Sequence, residues 1–208
     1  MADYLPQLIL AWSIQLMGVV SPGPGIMLIL GVATSQGRLP SLITAFGIAC
    51  ASIILSMTTV LGITAIFAKM ADLMTVIRLV GAAYLLWLAY RAFRNMAAPP
   101  DLDLHQRPRI NPWRAGLAGF GLQLSNPKAI FFWLAIASVG GIGDAPPIVI
   151  FVFVAGAFVN SFVGHGGYAL LLSSKPIRHV YLRFHRWVDG TMGCFFLFAS
   201  FKLATARE

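Results

Sequence analysis

A lysine inside a long apolar run is the residue of this chain most able to do chemistry. Lys128 closes the motif Ser125-Asn126-Pro127-Lys128, and a second proline motif, Ser21-Pro22-Gly23-Pro24-Gly25, lies in an earlier apolar run. A charge near the centre of a bilayer costs at least about 2.5–3.5 kcal/mol on insertion scales, so such groups usually face a cavity or a partner. Lys128 therefore reads as a cationic anchor for a carboxylate. The alternatives are a lysine paired to carbonyls freed by Pro127, or one reaching toward an interface. Gln123 and Asn126 beside it supply neutral hydrogen-bonding groups. In the earlier motif, Pro22 and Pro24 bring no backbone donor, while Gly23 and Gly25 permit close approach of a chain or ligand. A half-helix starting near Ile26 would then present unpaired N–H groups and a positive dipole end to an anion.

These residues need interrupted helices to hold them. A proline in a helix interior costs about 3 kcal/mol. In a bilayer the freed carbonyls survive only where protein or a polar cavity takes over their bonds. Ser21 and Ser125 stand 104 positions apart, half of the 208 residues. Two interrupted segments at matching places in two halves are the strongest sequence pointer to a transporter's substrate site. Ser21–Gly25 is therefore expected to face Ser125–Lys128 near the midplane.

Charged residues make up 11% of the chain, hydrophobic residues 58%, and the mean hydropathy is +0.80. A soluble domain carries about 25% charged residues. No Asp, Glu, Lys or Arg occurs in 4–37, 39–68 or 145–174, and each stretch exceeds the roughly 20 residues that span a bilayer. The expected fold is an all-α polytopic membrane protein, a single membrane domain over 1–208. Its spans fall near 6–35, 39–68, 73–93, 115–140, 145–172 and 187–204. The third and sixth have charge-free cores of similar length, and the first and fourth share Gln-Leu upstream of the break, at Gln15-Leu16 and Gln123-Leu124. The reading is two inverted three-helix repeats, 1–93 and 115–208, with helices 1 and 4 broken at the proline motifs. Residues 94–114, with four prolines and mixed charge, form the linker between them.

The net charge of +8 does not point to nucleic acid, because the basic residues cluster between apolar runs. Ten Lys/Arg fall on one face of the six-span arrangement and four on the other, with Lys128 inside. The richer face belongs in the cytoplasm. Both termini are then periplasmic or extracellular and the linker is cytoplasmic. The first apolar run lacks a preceding basic segment and is too long for a cleaved signal, so it is expected to remain as the first span. Cys50 and Cys194 offer no disulfide framework or ligand spacing, and read as buried structural thiols.

The fifth span carries Asn160, Ser161 and His165 among four glycines. His165 could relay a proton, since imidazole titrates near neutral pH; the other reading is a bond to a neighbour across a glycine-thinned interface. Asp189 is the acidic residue expected to enter a span, either as a proton-coupling carboxylate or paired locally with Arg186. Enzyme signatures, metal-site spacing and cofactor motifs are absent. No enzymatic activity, cofactor or metal is expected. Expected partners are a small-molecule substrate and membrane lipid, and a homo-oligomer stays open.

At the two proline motifs, Ser21–Gly25 and Gln123–Ala129, the chain resembles the LysE-type amino-acid exporters, also called the RhtB or homoserine/threonine-efflux family. Gly81-Ala82-Ala83-Tyr84-Leu85, with Trp87 and Tyr90, is similar to that family's third span. The resemblance covers nearly the whole chain. It implies an inner-membrane protein exporting amino acids or their derivatives, driven by the proton gradient. One departure is Cys50-Ala51-Ser52, where the family often has glycine with a polar neighbour, so substrate preference does not carry over. A permease for another small solute or ion, and a non-transporting membrane scaffold, are the competing readings.

Overall fold

The computed structural model describes residues 2–61, 71–97, 111–137, 142 and 145–205. These residues form a 3₁₀ turn (Ala2–Tyr4) and the helices α1 (Leu5–Val20), α2 (Pro24–Ser35), α3 (Arg38–Val60), α4 (Ala71–Ala97), α5 (Pro112–Ser125), α6 (Pro127–Ala137), α7 (Pro147–Leu172) and α8 (Lys175–Thr205). Most of the 94–114 linker lies outside the described residues.

Proline sets the helix starts. Pro24, Pro112, Pro127 and Pro147 are each the first residue of their helix, where the missing N–H is an orphan in any case. The Asn111 carboxamide caps α5 by accepting from Trp113 N at 3.0 Å. Gly37, at φ 90°, makes the sharp turn between α2 and α3 in a backbone region few other residues enter.

α3 and α7 are each long and apolar enough to cross a membrane, and α1 with α2 does so as a pair bent by 50°. The protein is thus a helical membrane protein, with a first break at Ser21–Gly23 between α1 and α2. A second break falls at Asn126, between α5 and α6. Large apolar side chains such as Ile9, Phe151, Val159 and Val163 lie on the outside of the bundle, as lipid contact demands.

The helix at the expected sixth span departs from its sequence boundaries. Basic residues 175–186, read as a loop, belong to α8, which starts twelve positions before 187. Pro176 sits in the first turn, where it is tolerated, and no later proline interrupts the run. Charge marked where the apolar stretch begins, not where the helix begins. Cys194 is exposed and Cys50 half-buried, so the expectation of buried thiols fails; a small apolar side chain is equally at home facing lipid.

Two compact units divide the chain, one of residues 1–64 and 103–178, the other of 65–102 and 179–208. In the second, α4 and α8 run antiparallel. Ser200 Oγ donates to Ala82 O at 2.8 Å, Gly193 packs on Phe93, Gly190 packs on Met96, and Arg186 Nε donates to Met96 O at 3.2 Å.

In the first unit, α3 packs on α5 and α6, and α7 packs on α1 and α2. Small residues allow this closeness. A Cβ on Gly47 would lie 2.0 Å from the Gly116 carbonyl oxygen, and one on Gly119 would lie 2.2 Å from that of Thr44. α7 lies parallel to α1. Gly156 accommodates the Trp12 ring and Gly164 accommodates Val19. The core gathers Leu8, Ala11, Trp133, Ile136, Phe153 and Ala157 from both halves of the sequence. Buried hydroxyls of α3 are satisfied within their own helix, Ser41 on Arg38 O at 2.8 Å and Thr44 on Pro40 O at 2.9 Å.

Candidate site at two helix breaks

The first break leaves carbonyls whose usual donors are prolines. Gly18 O would pair with Pro22 N in a continuous helix and instead accepts from the Ser21 hydroxyl at 3.1 Å. Val20 O would pair with Pro24 N and accepts from the Tyr168 hydroxyl at 2.8 Å. Ser21 O and Pro22 O accept from Lys128 Nζ at 2.5 and 3.4 Å. The lysine of one break thus closes over the other. It does not pair with the carbonyl freed by Pro127, because Gln123 O accepts from Asn126 N at 3.4 Å. Lys128 is only 6% exposed. A Cβ on Gly23 would lie 3.1 Å from Lys128 Nζ and Cδ, so the glycine keeps that path clear.

α2 begins at Pro24, two residues earlier than expected, and its first intrahelical bond runs from Met27 N to Gly23 O at 3.0 Å. The N–H groups of Gly25 and Ile26 therefore have no intrahelical acceptor. In α6 the Asn126 carboxamide oxygen accepts from Lys128 N at 3.1 Å, and Ile130 N donates to Asn126 O at 3.1 Å. That leaves Ala129 N–H without an intrahelical acceptor.

These groups meet at one cavity. Gln15, Ser21, Gly25, Ile26, Gln123, Asn126, Lys128, Ala129 and His165 line it, together with apolar side chains such as Phe132 and Trp133. Two helix N-termini, each carrying partial positive charge, and one ammonium converge there. Its volume is about 30 Å³, room for a few waters. An amino acid requires the walls to part.

Of the residues singled out in the sequence, Ser21, Gly25, Gln123, Asn126, Lys128 and His165 line the cavity; Pro22 and Gly23 touch Lys128; Pro24 and Pro127 start the two half-helices. His165 Nδ1 lies 3.0 Å from Ser161 O. The Ser161 hydroxyl in turn accepts from Ser52 at 3.1 Å, so the departing second-span sequence reaches the site through one hydroxyl pair. Asp189 is buried in the other unit, among the residues of α8.

Two groups at the site are not evident from the sequence. Tyr168 looks like an ordinary aromatic near a helix end, yet its hydroxyl holds Val20 O. Gln15, noted only as part of a repeat, is fixed by Asn160, whose Nδ2 donates to Gln15 Oε1 at 2.9 Å and to Trp12 O at 3.0 Å; Gln15 Nε2 donates onward to Ala157 O at 2.8 Å. Tyr168→Phe should destabilise the protein by about 0.5–1.5 kcal/mol, the net worth of a typical hydrogen bond. Melting of the detergent-purified variant checks this, and an unchanged midpoint would show that Val20 O finds another donor.

An apolar helical bundle with two helix breaks facing one polar cavity defines a membrane protein of the transporter class. The chain belongs to the LysE type translocator family, which matches residues 16–207. It is similar to the threonine efflux protein of Salmonella typhi, 29% identical over 200 residues, covering 91% of this chain and 92% of the relative. The threonine efflux protein of Escherichia coli (strain K12) is 28% identical over 196 residues, again covering 91% and 92%. The cysteine/O-acetylserine efflux protein of Salmonella choleraesuis is 30% identical over 129 residues, 61% of this chain and 62% of the relative. No solved structure matches the chain.

Proposed function

We propose that the protein is a secondary transporter exporting amino acids or amino-acid derivatives across the inner membrane, driven by the proton gradient. The observation that carries this reading is the convergence of Lys128 and both helix breaks on one cavity. The N–H groups of Gly25, Ile26 and Ala129, with the ammonium of Lys128, take the substrate carboxylate. Gln15, Gln123 and Asn126 meet the polar side chain with neutral hydrogen bonds. Threonine, cysteine and O-acetylserine, the solutes in the relatives' names, are small and polar, which suits that lining. Among the described residues no cluster of three or more His, Cys, Asp or Glu could hold a metal ion, which favours an organic solute over a metal.

The working architecture is one membrane domain of two inverted repeats, 1–93 and 115–208, joined by a cytoplasmic linker over 94–114. Its support is that packing partners exchange between halves. The second span of each half packs on the broken span of the other, α3 on α5 and α6, α7 on α1 and α2. The parallel first and fifth spans and the antiparallel third and sixth agree with that orientation. Alternating access then follows as one half rocks against the other, opening the cavity to each side. His165, on the cavity wall, is the candidate proton carrier there, and Asp189 is the second candidate.

Expression in a sensitive host should confer resistance to at least one toxic amino acid or analogue in a broad panel and lower its internal pool. No resistance and no pool change across the panel would count against export. Single cysteines placed in 94–114 should stay unlabelled by an impermeant maleimide in intact cells, while cysteines at both termini react. A reactive linker would invert the topology.

A further inference from the structure

The carbonyls at the two breaks are held in two different ways. Gly18 O, Val20 O, Gly121 O and Gln123 O accept from the Ser21 hydroxyl, the Tyr168 hydroxyl, the Ser125 hydroxyl and the Asn126 N–H, donors placed by short side chains, a rigid ring or the backbone. Ser21 O and Pro22 O instead receive the ammonium of Lys128. That ammonium is a compact charge on a flexible four-carbon stem, so it can withdraw. The two carbonyls also lie at the negative end of α1.

No Asp or Glu occurs in α1, α2, α3, α5, α6 or α7. A cationic group entering the cavity must therefore use neutral acceptors from these helices. His165 provides one. Ser161 O can only accept, so Nδ1 carries the proton toward it at 3.0 Å. Nε2 is left as an acceptor, on the side of Gly25, where a Cβ would lie 3.5 Å away.

Resting on the amino-acid exporter reading above, we infer that Ser21 O and Pro22 O form the binding site for the substrate's α-ammonium, a place Lys128 fills with its own ammonium and yields on loading. The amino acid lies between them. Its carboxylate faces Lys128 and the N–H groups of Gly25, Ile26 and Ala129. Its ammonium donates to Ser21 O, Pro22 O and His165 Nε2, three acceptors for three N–H donors. The substrates are then compounds with a free primary amine beside a carboxylate. Hydroxy acids and N-acylated amino acids are rejected, because they leave the two carbonyls unmet once Lys128 withdraws.

Chemical rescue tests the ammonium site without transport. Lys128→Ala and Lys128→Met, purified in detergent, are melted in methylammonium chloride and in tetramethylammonium chloride at equal concentration. Methylammonium is expected to raise the midpoint of both variants saturably and to leave the parent unchanged; tetramethylammonium, with no N–H, should do nothing. If a variant extracts poorly, methylammonium during extraction should restore the folded species. Equal effects of the two salts, or no effect and no restoration, overturn the inference. In a second arm, everted vesicles with the parent protein take up labelled L-threonine in competition with 3-hydroxybutanoate, which lacks the ammonium. It should compete at least about tenfold more weakly than unlabelled threonine, the loss expected for charge-assisted bonds. Equal competition overturns the ammonium site. Absence of threonine uptake with methylammonium rescue intact counts instead against threonine as substrate.

Discussion

Lys128→Met is expected to abolish or severely impair export while the protein still inserts and is produced at the parental level. A charge-assisted hydrogen bond is worth about 1.5–3 kcal/mol, so losing it weakens carboxylate binding by roughly 10- to 150-fold. The substitution also removes the donor from Ser21 O and Pro22 O, and some loss of thermal stability accompanies the loss of transport. Lys128→Arg separates the two effects. A guanidinium can still donate to both carbonyls, but its planar fork does not replace a compact ammonium beside Gly23, so stability should recover more than transport does. Normal export by Lys128→Met would leave Lys128 a structural clamp on the first break and nothing more.

The second large effect is structural. Gly47→Ala and Gly119→Ala each place a methyl group 2.0–2.2 Å from a backbone carbonyl oxygen, of Gly116 and Thr44 respectively. Backbone cannot step aside as a flexible side chain can, so the penalty should exceed about 3 kcal/mol, the upper end for ordinary overpacking. α5 carries Gln123 and leads into Asn126, so the site fails with the interface. Little folded protein should survive detergent extraction. Gly121→Ala is the control. On the same helix it meets nothing within 4 Å, and replacing helical glycine by alanine stabilises by up to about 1 kcal/mol. Equal behaviour of Gly47→Ala and Gly121→Ala would contradict the close approach of α3 to α5.

What the sequence could say about this fold depended on proline. Pro24 and Pro127 mark the half-helix starts to within two residues, because a residue without an N–H fits a first turn and disrupts an interior. Lys128 was legible as misplaced charge, and its cavity neighbours Gln123 and Asn126 by proximity in sequence. The partner of Lys128 was not legible. Which carbonyls an ammonium reaches depends on how two breaks half a chain apart come together, and no local pattern encodes that. Tyr168 was hidden for a related reason. An aromatic near a helix end suits a membrane interface equally well, and its bond to Val20 O spans 148 positions. The start of α8 was missed because hydropathy measures where lipid contact begins, while a helix continues for as long as its backbone bonds do.

The central claim is that an amino acid crosses through the cavity between the two breaks. The most direct measurement is accumulation of labelled L-threonine and other small polar amino acids in everted vesicles carrying the protein, with and without an inward-acid pH gradient. We expect accumulation of at least one of them, collapsed by an uncoupler and lost in Lys128→Met vesicles holding equal amounts of protein. Accumulation that is indifferent to Lys128, or its absence for every amino acid under an intact gradient, would contradict the account.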